Sequence, residues 1–248
     1  MQLQISIAVL NRKMDFNFNF KDLNTTKITA LAGVSGCFVV GFGLMASATH
    51  YSGKEEYSML NHFISELGLE RASTMAYAFN RSLMTGGIMF MIFAMGLGNF
   101  LGKSIHAKIA TATGMISTLS FSAIGYYTGD TWTAHMIVAS VFFAGAMITI
   151  LLFSYSMWTN RQAGFHPAIC MQGLMVAAFY FVAMLWPKEL LFQSINDPEH
   201  FVRPAFWVLT MLEWGYCLMV CTWILMVSAN LAYIMRTETS EVIDTASE

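Results

Sequence analysis

Residues 136–158 form one uncharged run, MIVASVFFAGAMITILLFSYSMW. A membrane-spanning α-helix needs about 20 consecutive apolar residues, and this run is long enough. Five further stretches of the chain have the same character, and none of the six contains lysine or arginine. The six stretches cover residues 28–49, 82–101, 109–127, 136–158, 169–186 and 206–235. Since strands of a membrane β-barrel are about ten residues long and alternate in polarity, we predict an all-α integral membrane bundle of six transmembrane helices.

The composition of the chain supports the same class. Of its 248 residues, 56% are hydrophobic and 11% are charged, whereas a soluble domain carries about 25% charged residues. Its mean hydropathy is +0.55, which also excludes a disordered chain, because disorder requires low hydrophobicity. The net charge of −2 gives no indication of the basic surface that binds nucleic acid by displacing counterions from its phosphates. We therefore expect membrane lipid, and no nucleic acid, as a partner.

The distribution of basic residues predicts the topology. We divide the chain into a cytoplasmic N-terminal tail (1–27), a six-helix membrane domain (28–235) and an acidic cytoplasmic tail (236–248). With the N-terminus inside, the inner segments hold eight bases and the outer segments hold five. Since basic residues are enriched on the cytoplasmic side, both termini are predicted to be cytoplasmic. The inner bases are Arg12, Lys13, Lys21, Lys27, Lys103, Lys108, Arg161 and Arg236; the outer bases are Lys54, Arg71, Arg81, Lys188 and Arg203.

The first outer loop contains the segment NHFISELG at residues 61–68. If this segment is helical, His62, Ser65 and Glu66 share one side of it, because residues three and four apart are neighbours on a helix. Gly68 is a stop signal for such a helix. An ordinary amphipathic loop helix with solvated polar groups is the alternative.

Further polar residues fall on the same predicted membrane face. Asn80 and Arg81 stand at the mouth of the second span, and Asp130 and His135 bracket the short loop between spans three and four. Asp130 could instead be the N-cap of the following helix. Glu213 lies within the sixth span. A carboxylate is energetically costly at that depth, so Glu213 is a candidate functional residue. We predict a shared polar site that opens to the outer leaflet.

The segment at residues 62–68, HFISELG, resembles the His/Tyr-x-Ile-Ser-Asp/Glu-Leu-Gly signature of the FRAG/DRAM/Sfk family. It is equally close to that of a related prokaryotic six-span family of unknown function. The pair Phe79-Asn80, and Gly129-Asp130 followed by His135, fit the same pattern in the same order along spans one to four. The resemblance implies six spans and a connection to lipids, since the eukaryotic branch is linked to GPI-anchor remodelling, plasma-membrane lipid organisation and lysosomal autophagy. It implies no agreed catalytic residue and no role for Glu213.

Two classes of function fit these residues. The first is a lipid-binding or membrane-lipid-organising protein in which His62, Asn80 and Arg81 hold a headgroup, with Glu66 and Glu213 as further ligand-binding candidates. The second is an intramembrane lipid hydrolase or acyltransferase.

In the enzyme hypothesis, Ser65 is the nucleophile or orients a water, His62 or His135 is the base and Asp130 orients that base. No cofactor is evident from the sequence. A metal-dependent version would hold zinc with both histidines and one or more of Glu66, Asp130 and Glu213, a chemically adequate ligand set. Transport, with Glu213 as a proton or ion relay, is a third hypothesis, and it rests on this one acidic residue.

Overall fold

A computed structural model describes residues 20–102, 104–160, 163–197 and 200–246. Every regular element in these ranges is helical, so the prediction of an all-α protein is confirmed. Two 3₁₀ helices, Ile64–Gly68 and Gly129–Thr131, lie in the connections. The α-helices are α1 (Phe20–Thr49), α2 (Ala76–Leu101), α3 (Ile105–Ile124), α4 (Trp132–Thr159), α5 (Pro167–Leu185), α6 (Glu189–Asn196) and α7 (Val208–Ala246).

Five of the described helical segments are long and apolar enough to cross a membrane. They are Asn24–Thr49, Ala76–Leu101, Gly129–Thr159, Pro167–Leu185 and Val208–Thr237. The remaining predicted span, 109–127, falls on α3, whose Lys108 and six serine or threonine residues lower its hydropathy. Helices α1 and α7 extend beyond the predicted spans, so that residues 236–246 of the predicted tail are helical. Most of the predicted N-terminal tail lies outside the described residues.

Local sequence explains where several helices begin and end. The Ser104 side chain caps α3 by accepting a hydrogen bond from Ala107 N at 3.1 Å, which satisfies one of the free N–H groups of the first turn. Pro167 opens α5 at a position where its missing N–H costs nothing. Gly102, with φ of +80°, ends α2 in a conformation that favours glycine.

Six of the helices pack into a closed ring in which each contacts two neighbours. The order around the ring is α1, α2, α3, α4, α5, α7 and back to α1. Neighbours are antiparallel, and small residues allow them to approach closely. A Cβ added at Gly33 of α1 would collide with Ser228 of α7 and Phe93 of α2, and one added at Gly87 would meet Thr118 O of α3.

The ring encloses an apolar cavity of about 320 Å³ and is covered at one end by a polar cap. We define the polar cap as residues 50–75, between α1 and α2, together with residues 200–207, which precede α7. Ile64 of the 3₁₀ helix and Trp214 of α7 line the cavity where it meets the cap. The cap is thus the boundary between the charged groups at this end and the apolar interior.

Candidate functional site

The Glu66 carboxylate organises the polar cap. Its Oε1 accepts hydrogen bonds from Phe63 N at 2.9 Å and from Arg203 Nη1 at 2.9 Å, and its Oε2 accepts one from Arg203 Nη2 at 2.9 Å. Arg203 also donates to Asn61 O at 2.6 Å. The two charged side chains are only 20% and 16% exposed. This bidentate pair therefore ties the segment before α7 to the loop after α1.

A second carboxylate, Glu213 of α7, binds the adjacent backbone amide. Its Oε2 accepts a hydrogen bond from Ile64 N at 3.0 Å. One residue further along α7, Trp214 Nε1 donates to His62 O at 3.1 Å. Glu66 and Glu213 thus hold the consecutive N–H groups of residues 63 and 64, at the start of the 3₁₀ helix, where first-turn amides need acceptors.

His62 is the buried centre of the cap, with 1% of its surface exposed. Its Nδ1 lies 3.3 Å from Ser58 N and 2.8 Å from Asn61 Oδ1. Its ring packs against Tyr51 and Tyr57, with centroid distances of 5.4 and 5.2 Å. Burial and the Arg203 guanidinium lower the pKa of His62 below its ordinary value.

The low pKa of His62 predicts loss of stability in mild acid. The unfolded chain binds a proton on this ring near pH 6.5, while the folded protein binds it only at lower pH. Stability is therefore complete above about pH 6.5 and falls as the pH drops toward the folded pKa. We expect the melting temperature in detergent to fall between about pH 7 and pH 5, and His62→Gln to flatten this slope. The exposed His200→Gln is the control; an unchanged slope in His62→Gln would contradict the assignment.

Two tyrosine hydroxyls form hydrogen bonds within the cap. Tyr51 Oη lies 3.5 Å from Glu66 Oε2, and burial together with the Glu66 charge raises the pKa of Tyr51 to about 12. Tyr57 Oη donates to Phe63 O at 3.1 Å. Burial and the Glu213 and Glu66 carboxylates raise the pKa of Tyr57 above its ordinary value. Both phenols therefore remain neutral donors at physiological pH.

Asn80 binds the backbone of the cap, and Ser65 lies within the 3₁₀ helix. Asn80 Nδ2 donates to Gly68 O at 3.0 Å, and Ser47 Oγ donates to Leu67 O at 2.7 Å, so both hold the end of the 3₁₀ helix. The predicted helical face of His62, Ser65 and Glu66 is not formed, because the helix begins only at Ile64. In the described part of the chain, Ser65 makes no hydrogen bond with His62 or His135.

Among the described residues, Asp130 contacts the cap through Arg71 at its surface, and the hydrogen bond of His135 is to a residue outside the cap. Asp130 Oδ1 pairs with Arg71 Nη1 at 3.3 Å on the surface, with the two side chains 44% and 73% exposed. His135 is buried, and its Nδ1 lies 2.8 Å from Tyr127 O. Asp130 does not cap α4, whose N-cap residue is Thr131. The predicted Asp130–His135–Ser65 relay is therefore absent from the described residues.

Arg81 is the exposed cation of α2. Its guanidinium carbon lies 5.7 Å from the centroid of the Tyr77 ring, one helical turn earlier. Within the described ranges, no carboxylate lies within ion-pair distance of Arg81. Both side chains project from the exposed face of α2, so this arginine is available to an external anion.

The described residues contain no group of three or more His, Cys, Asp and Glu side chains placed to hold a metal ion. The zinc arrangement considered from sequence is not assembled among them. His62 is enclosed by aromatic rings, and Asp130 is paired on the surface with Arg71. Of the eight candidate residues, His62, Ser65 and Glu66 belong to the cap. Asn80 and Glu213 bond to its backbone, and Asp130 pairs with its Arg71.

Sequence reasoning missed Arg203, Tyr51, Tyr57 and Trp214 as members of the site. From the sequence, Arg203 is counted only among the outer bases. The sequence does carry a signal for Arg203, because this arginine lies between Phe201 and Pro204, ten residues before the acidic Glu213. An aromatic-flanked base close to a membrane carboxylate indicates an ion pair at the interface, but the sequence does not select Glu66 as its partner.

The five long apolar helices and the polar cap at one end of the ring define a multi-pass helical membrane protein. The chain belongs to the DUF998 family, described as proteins of unknown function, whose model matches residues 30–230. No curated protein and no solved structure matches the chain.

Proposed function

We propose that this protein is a six-span integral membrane protein that binds a phosphate-bearing lipid headgroup at its capped end. In this proposal the cap faces the outer leaflet, both termini are cytoplasmic, and binding organises lipid around the bundle. The observation that carries the proposal is the exposed Arg81 guanidinium, which stacks near Tyr77 and has no acidic partner among the described residues.

The packing of α3 supports counting it as a membrane span in addition to the five long apolar helices. Thr113 Oγ1 lies 2.9 Å from Thr149 Oγ1, Ser117 Oγ donates to Phe142 O at 2.9 Å, and Ser122 Oγ donates to Met84 O at 3.1 Å. Hydroxyls bonded in this way do not need water, and such bonds are typical between helices in membranes. The ring position of α3 between α2 and α4 gives it the same environment as its neighbours.

The chemistry of Arg81 suits a phosphate at the membrane interface. A guanidinium presents several N–H donors in a plane and binds phosphate oxygens in pairs. Its apolar stem can lie along the helix while the charge reaches the headgroup layer, and tyrosine is enriched at the same depth. Arg81 lies in the second turn of α2, close to the capped end. His62 and Asn80 are not proposed as ligands, because His62 Nδ1 and Asn80 Nδ2 are bonded within the cap.

The proposal is tested by Arg81→Gln in the full chain. Protein is purified in mild detergent, and the phospholipid retained per protein molecule is measured by phosphorus analysis and mass spectrometry. We expect Arg81→Gln to retain at least about threefold less phospholipid, because a hydrogen bond to a charged group contributes about 1.5–3 kcal/mol, more than a threefold change in affinity requires. Arg81→Lys should restore part of the retention.

Arg236→Gln is the matched control, since Arg236 is an exposed arginine near the opposite end of α7. It should retain as much phospholipid as the unmodified chain. Equal retention by Arg81→Gln and the unmodified chain would refute the proposal. An equal loss in both arginine variants would refute it too, because the effect would then not belong to the capped end.

A further inference from the structure

The cavity inside the ring is an apolar space that is partly open to the outside. It has a volume of about 320 Å³ and is lined by residues of α1, α2, α3, α4 and α7. Ligand pockets commonly start at about 300 Å³ and are lined by apolar and aromatic side chains. Phe90, Phe121 and Trp223 belong to this lining. The cavity is therefore large enough for part of an organic molecule.

The hydroxyl groups of the cavity walls are already engaged in hydrogen bonds with the protein. The hydroxyl hydrogens of Ser117 and Thr118 are donated to Phe142 O and Met115 O, and Thr149 is bonded to Thr113. A buried water needs two to four polar partners, and an apolar cavity of about 150 Å³ stays dry and accepts benzene. A hydrocarbon is the occupant that this lining fits.

The cavity reaches the outer surface of the bundle between α1 and α7. Gly41 and Leu218 line the cavity and are also exposed, with Leu218 53% exposed. A Cβ added at Gly41 would meet no atom within 4 Å. Farther from the cap the two helices close on each other, where Cys37 Sγ lies 3.9 Å from Cys221 O and Gly33 packs on Ser228. Gly41 and Leu218 therefore lie nearer the cap than these contacts.

We infer that the cavity accepts one hydrocarbon chain of a bilayer lipid from the leaflet on the capped side, which enters between Gly41 and Leu218. This inference rests on the proposed function, because it requires the ring to lie in a bilayer. The surroundings of the opening are then acyl chains, and the cap keeps the headgroup at the end of the bundle. Lipid binding at this protein would thus include the burial of a chain, in addition to contact at Arg81.

Tryptophan fluorescence can test this directly. Trp132, Trp158 and Trp186 are at least 40% exposed, whereas Trp207, Trp214 and Trp223 are buried. In the triple variant Trp132→Phe, Trp158→Phe and Trp186→Phe, only buried tryptophans emit. This variant is placed in nanodiscs of phosphatidylcholine that carries bromine at the middle of its acyl chains, since bromine quenches tryptophan at contact range. We expect clear quenching relative to nanodiscs of the unbrominated lipid.

Gly41→Phe in the same background should block the opening and lower the quenching by at least about twofold, because a ring now occupies the space that the chain would cross. Ser35→Phe is the matched control, since it adds the same side chain to an exposed position of α1. It should leave the quenching unchanged. Unquenched tryptophans in the triple variant, or equal quenching with and without Gly41→Phe, would overturn the inference.

A second measurement uses the unmodified chain and does not depend on tryptophan replacement. Phosphatidylcholine with a diazirine at mid-chain is photolysed in the nanodisc, and the adducts are mapped by mass spectrometry. Adducts on inward residues such as Phe90 and Phe153 are expected; adducts confined to outward residues such as Phe38 and Phe42 would overturn the inference. If no lipid chain enters the cavity but Arg81→Gln still lowers phospholipid retention, only this inference is overturned. If a lipid chain enters but Arg81→Gln does not change retention, only the headgroup proposal is overturned.

Discussion

Replacing Arg203 with methionine is expected to lower the free energy of unfolding by about 2–4 kcal/mol. The substitution keeps a long apolar stem but removes the partner of Glu66, whose carboxylate is 16% exposed. A charge left in such a position keeps its desolvation cost without the compensating ion pair. Asn61 O loses its 2.6 Å donor in the same step.

The structural effect of Arg203→Met should concentrate in the cap. Arg203 connects the segment before α7 to the loop after α1, and its guanidinium carbon also lies 5.9 Å from the centroid of the Trp207 ring. Trp207 N donates to Leu60 O at 2.8 Å. Without Arg203, this backbone bond and the contact between the Phe63 and Trp207 rings are the remaining described links from residues 200–207 to the loop. We therefore expect Arg203→Met to accelerate hydrogen exchange, relative to the unmodified chain, more at residues 58–66 than in α2 or α4.

The measurement is a denaturation titration in mixed micelles, with Arg203→Met, Glu66→Gln and the double variant. Since the two groups interact directly, the double variant should lose less than the sum of the single losses, by about 1–3 kcal/mol. Arg71→Met is the control, because Arg71 and Asp130 form an exposed pair that contributes about 0–1 kcal/mol. Additive losses, or equal losses in Arg71→Met and Arg203→Met, would show that the Glu66–Arg203 pair does not hold the cap.

The all-α architecture follows from the sequence because helix formation in an apolar run depends on local properties. Runs of about 20 residues without charge can satisfy their backbone groups internally only as helices, and residues 136–158 are such a run. Helix ends were harder to place. The α1 and α7 helices extend into polar sequence on the side away from the cap, since a helix can continue into water once its apolar part is packed.

The site was predicted less completely, because its contacts join residues that are far apart in sequence. The segment NHFISELG was identified, but its helical face was not formed, since the chain makes only a short 3₁₀ helix there. The partner of Glu66 lies 137 residues away at Arg203, and the partner of Ile64 N lies 149 residues away at Glu213. Such pairs depend on the order of helices around the ring, which hydropathy does not encode.

Glu213 was singled out because a carboxylate within a span is costly, and the structure gives it a definite structural partner. Its Oε2 accepts the Ile64 N–H bond at 3.0 Å, in the wall between the cap and the cavity. Glu213→Leu removes this acceptor and leaves a partly buried backbone donor unpaired, which costs about 1–3 kcal/mol. We expect this loss in the free energy of unfolding, together with weaker protection of the Ile64 amide from exchange.

Glu213→Gln separates the acceptor role from a role that needs a carboxylate. The glutamine keeps an oxygen at the same reach, so the Ile64 bond can form and the unfolding free energy should change by less than about 1 kcal/mol. If Glu213→Gln is as unstable as Glu213→Leu, the Ile64 bond is not what the side chain supplies. If Glu213→Gln is stable but loses the phospholipid retained by the unmodified chain, the residue acts on lipid through its carboxylate. Stability with full retention in Glu213→Gln is the result that the geometry predicts, because the described hydrogen bond to Glu213 requires only an oxygen acceptor.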